Sequence, residues 1–285
     1  MIFVTEKFLE AGKDGSGIIH QEMQYGFLKE NTMFIPEVKV SMIDPEMNTG
    51  FIRNFLSKEK ADNKTRPFYD KTILLYPELK DIHTVHDEKA RKTIIQQAVA
   101  ERLASHRPEI EVRIQHFQDV FDGFISDFIQ AECQLFHYEW KASQPQINCF
   151  VGYLPFYPRS TEDKCFYVSY HDEERVFSGA VHEINHMIFF EKWKEMHGID
   201  DPEPAWPDPL WYLEEIIVDP TLNDERVKCH TLYENKAYPM FYEKDNVTGV
   251  SVMDRVKECY KSHSEIEGFI DAAYGIVREW FEKEG

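Results

Sequence analysis

The sequence predicts an α+β fold, in which a small antiparallel or mixed sheet accompanies a chain that is otherwise mainly helical. Two patterns lead to this prediction. Apolar residues recur at helical spacing over 87–137 and through most of the chain after residue 172. Between these stretches, 147–170 is rich in β-branched and aromatic residues, which is typical of strands.

The first part of the chain, 1–86, has an irregular pattern. Short apolar runs at 33–35 and 72–76 lie between proline, glycine and asparagine residues, and one helical stretch falls near 51–60. We therefore expect an N-terminal mixed α/β region over 1–86, followed by a larger domain over 87–285.

Two helices are predicted over 87–137. Asp87 is suited to cap the first helix, which runs to about residue 106 and ends before Pro108. The second runs over 109–137 and carries a stripe of phenylalanines at helical spacing. Such a stripe is more typical of core packing than of a ligand-binding surface.

After residue 146 the spacing of the apolar residues is no longer helical. Residues 147–154 and 165–170 are predicted as two strands, joined by a loop over 155–163, and an antiparallel pairing is expected. Helical patterns return afterwards.

The next predicted helix covers 172–197 and ends at Gly198. A shorter helix over 209–219 is expected to stop at Pro220. The rest is mainly helical, with a break near 238–249.

Charge and composition narrow the classes of function. Lys and Arg total 32 against 51 Asp and Glu, for a net charge of −19. Nucleic-acid binding requires clustered basic residues, so no nucleic-acid partner is expected. No stretch reaches the roughly 20 apolar residues of a membrane span. The five cysteines are scattered, which favours reduced thiols and a cytoplasmic location.

The motif that points to chemistry is His-Glu-x-x-His at His182, Glu183 and His186. In a helix, a spacing of four places the two histidines one turn apart on one face. Two imidazoles so placed can bind one tetrahedral ion, and zinc is the expected cofactor. Glu183 lies beside that face and can accept a proton from water without binding the metal.

A third ligand is needed, and the helix at 209–219 offers carboxylates. Glu215 follows His186 by 29 residues, and the adjacent Glu214 competes for the same role. Asp219 follows Glu215 by four residues, one turn further along the same face. From there, Asp219 can accept the outer N–H of a zinc-binding histidine and hold its tautomer.

HExxH followed by ExxxD on a later helix resembles the gluzincin branch of the zincin metallopeptidases, the thermolysin-like superfamily. The resemblance implies that His182, His186 and Glu215 bind zinc and that Glu183 is the general base. It also places Asp219 behind the ligands and favours Glu215 over Glu214, because only Glu215 has an aspartate four residues on.

This resemblance extends over about residues 147–220 and implies that 87–285 is a zincin-like catalytic domain. It further implies an edge strand before the catalytic helix that pairs with extended substrate. The sequence departs from the family pattern at Glu214, where asparagine is frequent, and at Gly179, where valine or threonine is frequent.

A peptidase of this kind usually has a tyrosine or histidine that stabilises the oxyanion. The candidates are His230, Tyr233 and Tyr238, of which His230 and Tyr233 lie three residues apart on an expected helix. For each of them, a surface or packing role is the alternative.

The resulting hypothesis is a zinc-dependent peptidase that acts on a peptide or protein substrate. Two alternatives stay open. One is a non-catalytic zincin-fold module that binds peptides or proteins, and the other is a metal-dependent hydrolase of a non-peptide amide. The oligomeric state is not predicted.

Overall fold

The computed structural model of the protein describes residues 33–57, 66–198, 203–204, 206–231 and 234–284, and it confirms the α+β class. The strands in these ranges are β1 (Glu37–Met42), β2 (Gln146–Gly152), β3 (Arg159–Ser160) and β4 (Cys165–Ser169). The helices are α1 (Pro45–Leu56), α2 (Arg66–Leu75), α3 (Glu88–Ser105), α4 (Arg107–Asp122), α5 (Ile125–Leu135), α6 (Glu173–His197), α7 (Pro209–Leu222), α8 (Glu225–Thr231), α9 (Val252–Ser262) and α10 (Ile266–Glu284).

The strands form one mixed sheet in the order β1-β2-β4-β3. β2 is parallel to both β1 and β4, while β3 is antiparallel to β4. The predicted antiparallel pairing of 147–154 with 165–170 is therefore wrong. After β2 the chain passes to the far side of β4, forms β3 there and turns back, so that β4 runs in the same direction as β2.

β1 belongs to the region predicted as a separate N-terminal part. It pairs residue by residue with β2, for example Val38 with Ile147. Residues Met33–Gly285 cluster as one compact unit. The described part of 33–86 therefore shares its core with the elements that follow.

The helical stretch over 87–137 contains three helices, where two were predicted. α4 ends at Asp122 and α5 begins at Ile125, because Phe124 leaves the helical region with φ −149°. The phenylalanine stripe is core, as predicted: Phe117, Phe121 and Phe128 are fully buried.

The two helices that carry the motif residues lie against each other. α6 ends as predicted, at Gly198, which has a left-handed φ of 64°. α7 passes the predicted stop at Pro220 and ends at Leu222. A proline in the last turn removes one hydrogen bond, and the burial of every residue over 212–222 outweighs that loss. None of the described helices is both long and apolar enough to cross a membrane.

Candidate metal centre

Two histidines on α6 point their Nε2 atoms at each other. The rings of His182 and His186 are nearly perpendicular, with centroids 4.4 Å apart, and their Nε2 atoms are 2.8 Å apart. The side chain of His186 is fully buried, whereas that of His182 is 26% exposed. The predicted helical spacing therefore brings both rings to one point, with one side reachable from solvent.

The neighbouring helix α7 supplies a carboxylate to the same point. Oε2 of Glu215 lies 3.3 Å from Nε2 of His182 and 3.7 Å from Nε2 of His186. Among the described residues, His182, His186 and Glu215 form a group whose potential ligand atoms lie within 4.8 Å of one another. We call these three residues the metal group. Between the two competing glutamates, the geometry favours Glu215 as the third ligand.

The residues present fit a zinc ion. Oε2 of Glu215 is buried and has no hydrogen-bond partner, so a buried polar atom faces the two imidazoles unsatisfied. Zinc bonds of 2.0–2.2 Å in tetrahedral geometry separate ligand atoms by about 3.3 Å. The observed separations of 2.8 to 3.7 Å bracket this value.

The other glutamate, Glu214, lies behind the histidines. It is fully buried, and its Oε2 lies 3.3 Å from Nδ1 of His186, on the opposite side of that ring from Nε2, which faces His182 and Glu215. A carboxylate beside the outer nitrogen of a ligand histidine can orient the ring and select its tautomer. In the structure this contact is a close approach and not a hydrogen bond, because Nδ1 of His186 has no hydrogen-bond partner. This is the position that was predicted for Asp219.

Asp219 has other partners. Its Oδ2 accepts a 2.5 Å hydrogen bond from the hydroxyl of Tyr242, and its Oδ1 lies 2.8 Å from Nζ of Lys257 and accepts a bond from Asn223. None of the hydrogen bonds or ion pairs described for Asp219 reaches a histidine. Asp219 instead ties α7 to α9 and to the short 3₁₀ turn Pro239–Tyr242.

Sequence reasoning missed Arg159 on β3. Its Nη1 donates a 3.0 Å hydrogen bond to Glu183, and its Nη2 donates a 2.6 Å bond to Glu214. Glu203 forms a third ion pair with the same guanidinium. The side chain of Arg159 is only 12% exposed. The one signal in the sequence was that Arg159 is the only basic residue between Lys141 and Lys164.

Burial and these charges set the protonation of the site. Burial, reinforced by the positive charges of Arg159 and His182, lowers the pKa of His186 well below its usual range. The imidazole of His186 is therefore neutral, which is the form that binds a metal. Burial raises the pKa of Glu183, and the guanidinium of Arg159 opposes that rise.

Of the candidate oxyanion residues, Tyr238 lies within range of the charges of the site, and it is 47% exposed. The negative charge of Glu215, followed by burial and the charge of Glu183, raises its pKa, so its hydroxyl stays protonated and can donate a hydrogen bond. Its ring stacks on Trp211, with centroids 5.8 Å apart. His230 lies half-buried on α8 and does not belong to the metal group, while Tyr233 lies outside the described residues.

A groove of about 310 Å³ lies beside the metal group. Arg159 and Trp211 line it together with further aromatic and proline side chains: Phe55, Phe68, Phe156, Tyr157, Pro158 and Pro204, with Glu203 as a further charged group.

Comparisons with family models, with characterised proteins and with solved structures find no match to this chain. The functional interpretation therefore depends on the site itself.

Proposed function

We propose that the protein is a zinc-dependent peptidase with a zincin-like core, and that it hydrolyses peptide bonds in a peptide or protein substrate. One observation carries the proposal: His182, His186 and Glu215 converge from two helices on one point, and Glu183 lies next to them. A structural site would use four protein ligands, whereas three ligands and an adjacent carboxylate are typical of a catalytic site.

Each residue then has a role. Zinc, when bound, supplies Lewis-acid polarisation of the scissile carbonyl and of water. Glu183 accepts the proton of the attacking water and delivers it to the leaving amine. Tyr238 donates a hydrogen bond to the oxyanion. β3 lies at the edge of the sheet, where an extended substrate can add as a further strand.

Arg159 acts through the other side chains in this scheme. Its two nitrogens hold Glu183 and Glu214, and Glu214 in turn lies against His186. It is therefore a positioning residue for both the base and one ligand. The cytoplasm is the proposed location, since four of the five free cysteines are buried thiols without a disulfide partner.

The ion pair between Arg159 and Glu183 also favours a second candidate function. The charge of Arg159 favours the ionised form of Glu183 and opposes the rise in its pKa, so Glu183 is a weaker proton acceptor than burial alone would make it. In that case the protein is a non-catalytic module that binds peptides or another protein, with zinc structural or absent.

Replacing Glu183 by Gln tests the proposal, because glutamine keeps the size of the side chain but cannot accept the proton. We expect zinc content and melting temperature to change little, while cleavage of an unbiased peptide pool falls by about 10²- to 10⁴-fold. The matched control is Glu195→Gln, a half-exposed glutamate on the same helix, which should cleave like the wild type.

Both proteins must be compared at equal zinc occupancy. Equal cleavage by wild type and Glu183→Gln would show that Glu183 is not the base. A wild-type protein that holds zinc and cleaves nothing would favour the peptide-binding module.

A further inference from the structure

The groove beside the metal group has a distinct chemistry. We call it the aromatic groove and define it by Phe55, Phe68, Phe156, Tyr157 and Trp211. Phe156 packs on Phe68 and on Phe55, with centroids 4.4 and 5.5 Å apart. Its volume of about 310 Å³ is at the small end of ligand sites, which suits one large side chain better than a whole peptide.

Two residues connect the aromatic groove to the proposed reaction site. Trp211 precedes Glu215 by four residues on α7, so both lie on one face of that helix. Arg159 lines the groove and also donates to Glu183. The groove therefore lies about one helical turn from Glu215 and shares Arg159 with Glu183.

A glycine on α6 explains why the groove lies so close. A Cβ at Gly179 would lie 2.8 Å from the ring of Tyr157, so only glycine admits this contact without a shift. Gly179 is one turn before His182. The contact brings Tyr157, and with it the start of β3, against the helix that carries the histidines.

The rings that line the groove indicate which side chain it prefers. Charge does not decide the matter, because the guanidinium of Arg159 is already paired with Glu183, Glu203 and Glu214, and Glu203 also lines the groove. A further aromatic ring can stack on the five lining rings or meet them edge-on, whereas an aliphatic side chain cannot.

We infer that the aromatic groove binds one aromatic side chain of the substrate, adjacent to the scissile bond. This inference rests on the proposed peptidase function, and it names the substrate class: peptides that contain phenylalanine, tyrosine or tryptophan.

Binding can be measured apart from cleavage. Capped peptides of the form Ala-Ala-X-Ala-Ala, with X as Phe, Leu, Ala or Asp, are titrated calorimetrically into the zinc-loaded Glu183→Gln protein. We expect the Phe peptide to bind about tenfold or more tightly than the Ala peptide, and more tightly than the Leu peptide. Equal affinities for Phe, Leu and Ala would overturn the inference.

Two variants on α2 test whether the preference for the Phe peptide depends on the aromatic groove. Phe68→Leu keeps an apolar side chain but removes a ring, and it should reduce the preference for Phe over Leu. The control is Leu74→Ala on the same helix, where the side chain is 80% exposed, and the preference should stay unchanged. An unchanged preference in folded Phe68→Leu would place the aromatic side chain elsewhere.

The outcomes for the groove and for the peptidase are separable. Cleavage by the wild-type protein without any aromatic preference refutes the groove and leaves the peptidase. Tight binding of the Phe peptide, lost in Phe68→Leu, without cleavage by the zinc-loaded wild-type protein supports the groove and refutes the peptidase.

Discussion

Arg159 on β3 donates a 3.0 Å hydrogen bond to Glu183 on α6, and both side chains are nearly buried. The same guanidinium bonds Glu214 on α7 at 2.6 Å. Burial works against the charge of the arginine, but the surrounding carboxylates more than compensate, so its pKa lies above the usual value. This one cation thus joins the sheet to the two helices that form the metal group.

We expect Arg159→Met to destabilise the metal-free protein strongly, by about 3–5 kcal/mol, because it leaves buried carboxylates without their counter-charge. The control is Arg175→Met, whose guanidinium is 63% exposed and lies 3.5 Å from Asp172. It should cost about 1 kcal/mol or less. Urea unfolding with a chelator measures both, and equal losses would contradict a central role for Arg159.

Zinc content tests the ligand assignment. The wild-type protein should hold about one zinc per chain, and Ala at His182, His186 or Glu215 should remove most of it. Glu214→Ala should keep the site but weaken zinc affinity by about 10- to 100-fold, because it removes the carboxylate behind His186. If Glu214→Ala abolishes zinc binding and Glu215→Ala does not, the two glutamates have the opposite roles.

Tyr238 and Tyr242 allow a comparison between a hydroxyl that is proposed to act in catalysis and one that has a structural role. Tyr238→Phe should lower peptide cleavage by about 10²- to 10³-fold, with zinc content and melting temperature nearly unchanged. Tyr242→Phe removes the hydrogen bond to Asp219 and should instead cost about 1–3 kcal/mol of stability. Cleavage assays and thermal melts are needed for both variants, and full activity of Tyr238→Phe would exclude it as the oxyanion donor.

The buried side chain of Glu132 is expected to make the free energy of unfolding depend on pH. It is fully buried, its carboxylate accepts a 3.3 Å hydrogen bond from Asn185, and burial raises its pKa to about 8. The folded protein therefore holds a proton that the unfolded chain releases above about pH 4.5. Its contribution to the free energy of unfolding is complete below that pH and is lost as the pH rises to about 8.

Glu132→Gln should gain stability relative to the wild type as the pH rises from 5 to 8, by up to about 1.4 kcal/mol per pH unit. Urea unfolding at each pH measures this difference, with the exposed Glu111→Gln as control. A difference from the wild type that does not change with pH would show that Glu132 is ionised in the folded protein.

Features that depend on spacing within one helix could be predicted from the sequence. The positions of His182 and His186 on one face follow from 3.6 residues per turn, and the end of α6 at Gly198 follows from the left-handed conformation that glycine readily adopts. Glu215 was identified from its spacing to Asp219, and it does lie beside the histidines. Asp219 was predicted to hold a ligand histidine, whereas in the structure its side chain contacts Tyr242 and Lys257.

Contacts between elements that are distant in the chain could be identified only from the tertiary structure. Periodicity identifies β2 and β4 as strands, but their parallel pairing depends on where the connecting chain forms β3. Arg159 bonds to Glu183 and Glu214 across separations of 24 and 55 residues, and Trp211 lines the aromatic groove together with Phe55 of α1 and Phe68 of α2. Such contacts follow from how buried faces pack together, and no local sequence pattern encodes that packing.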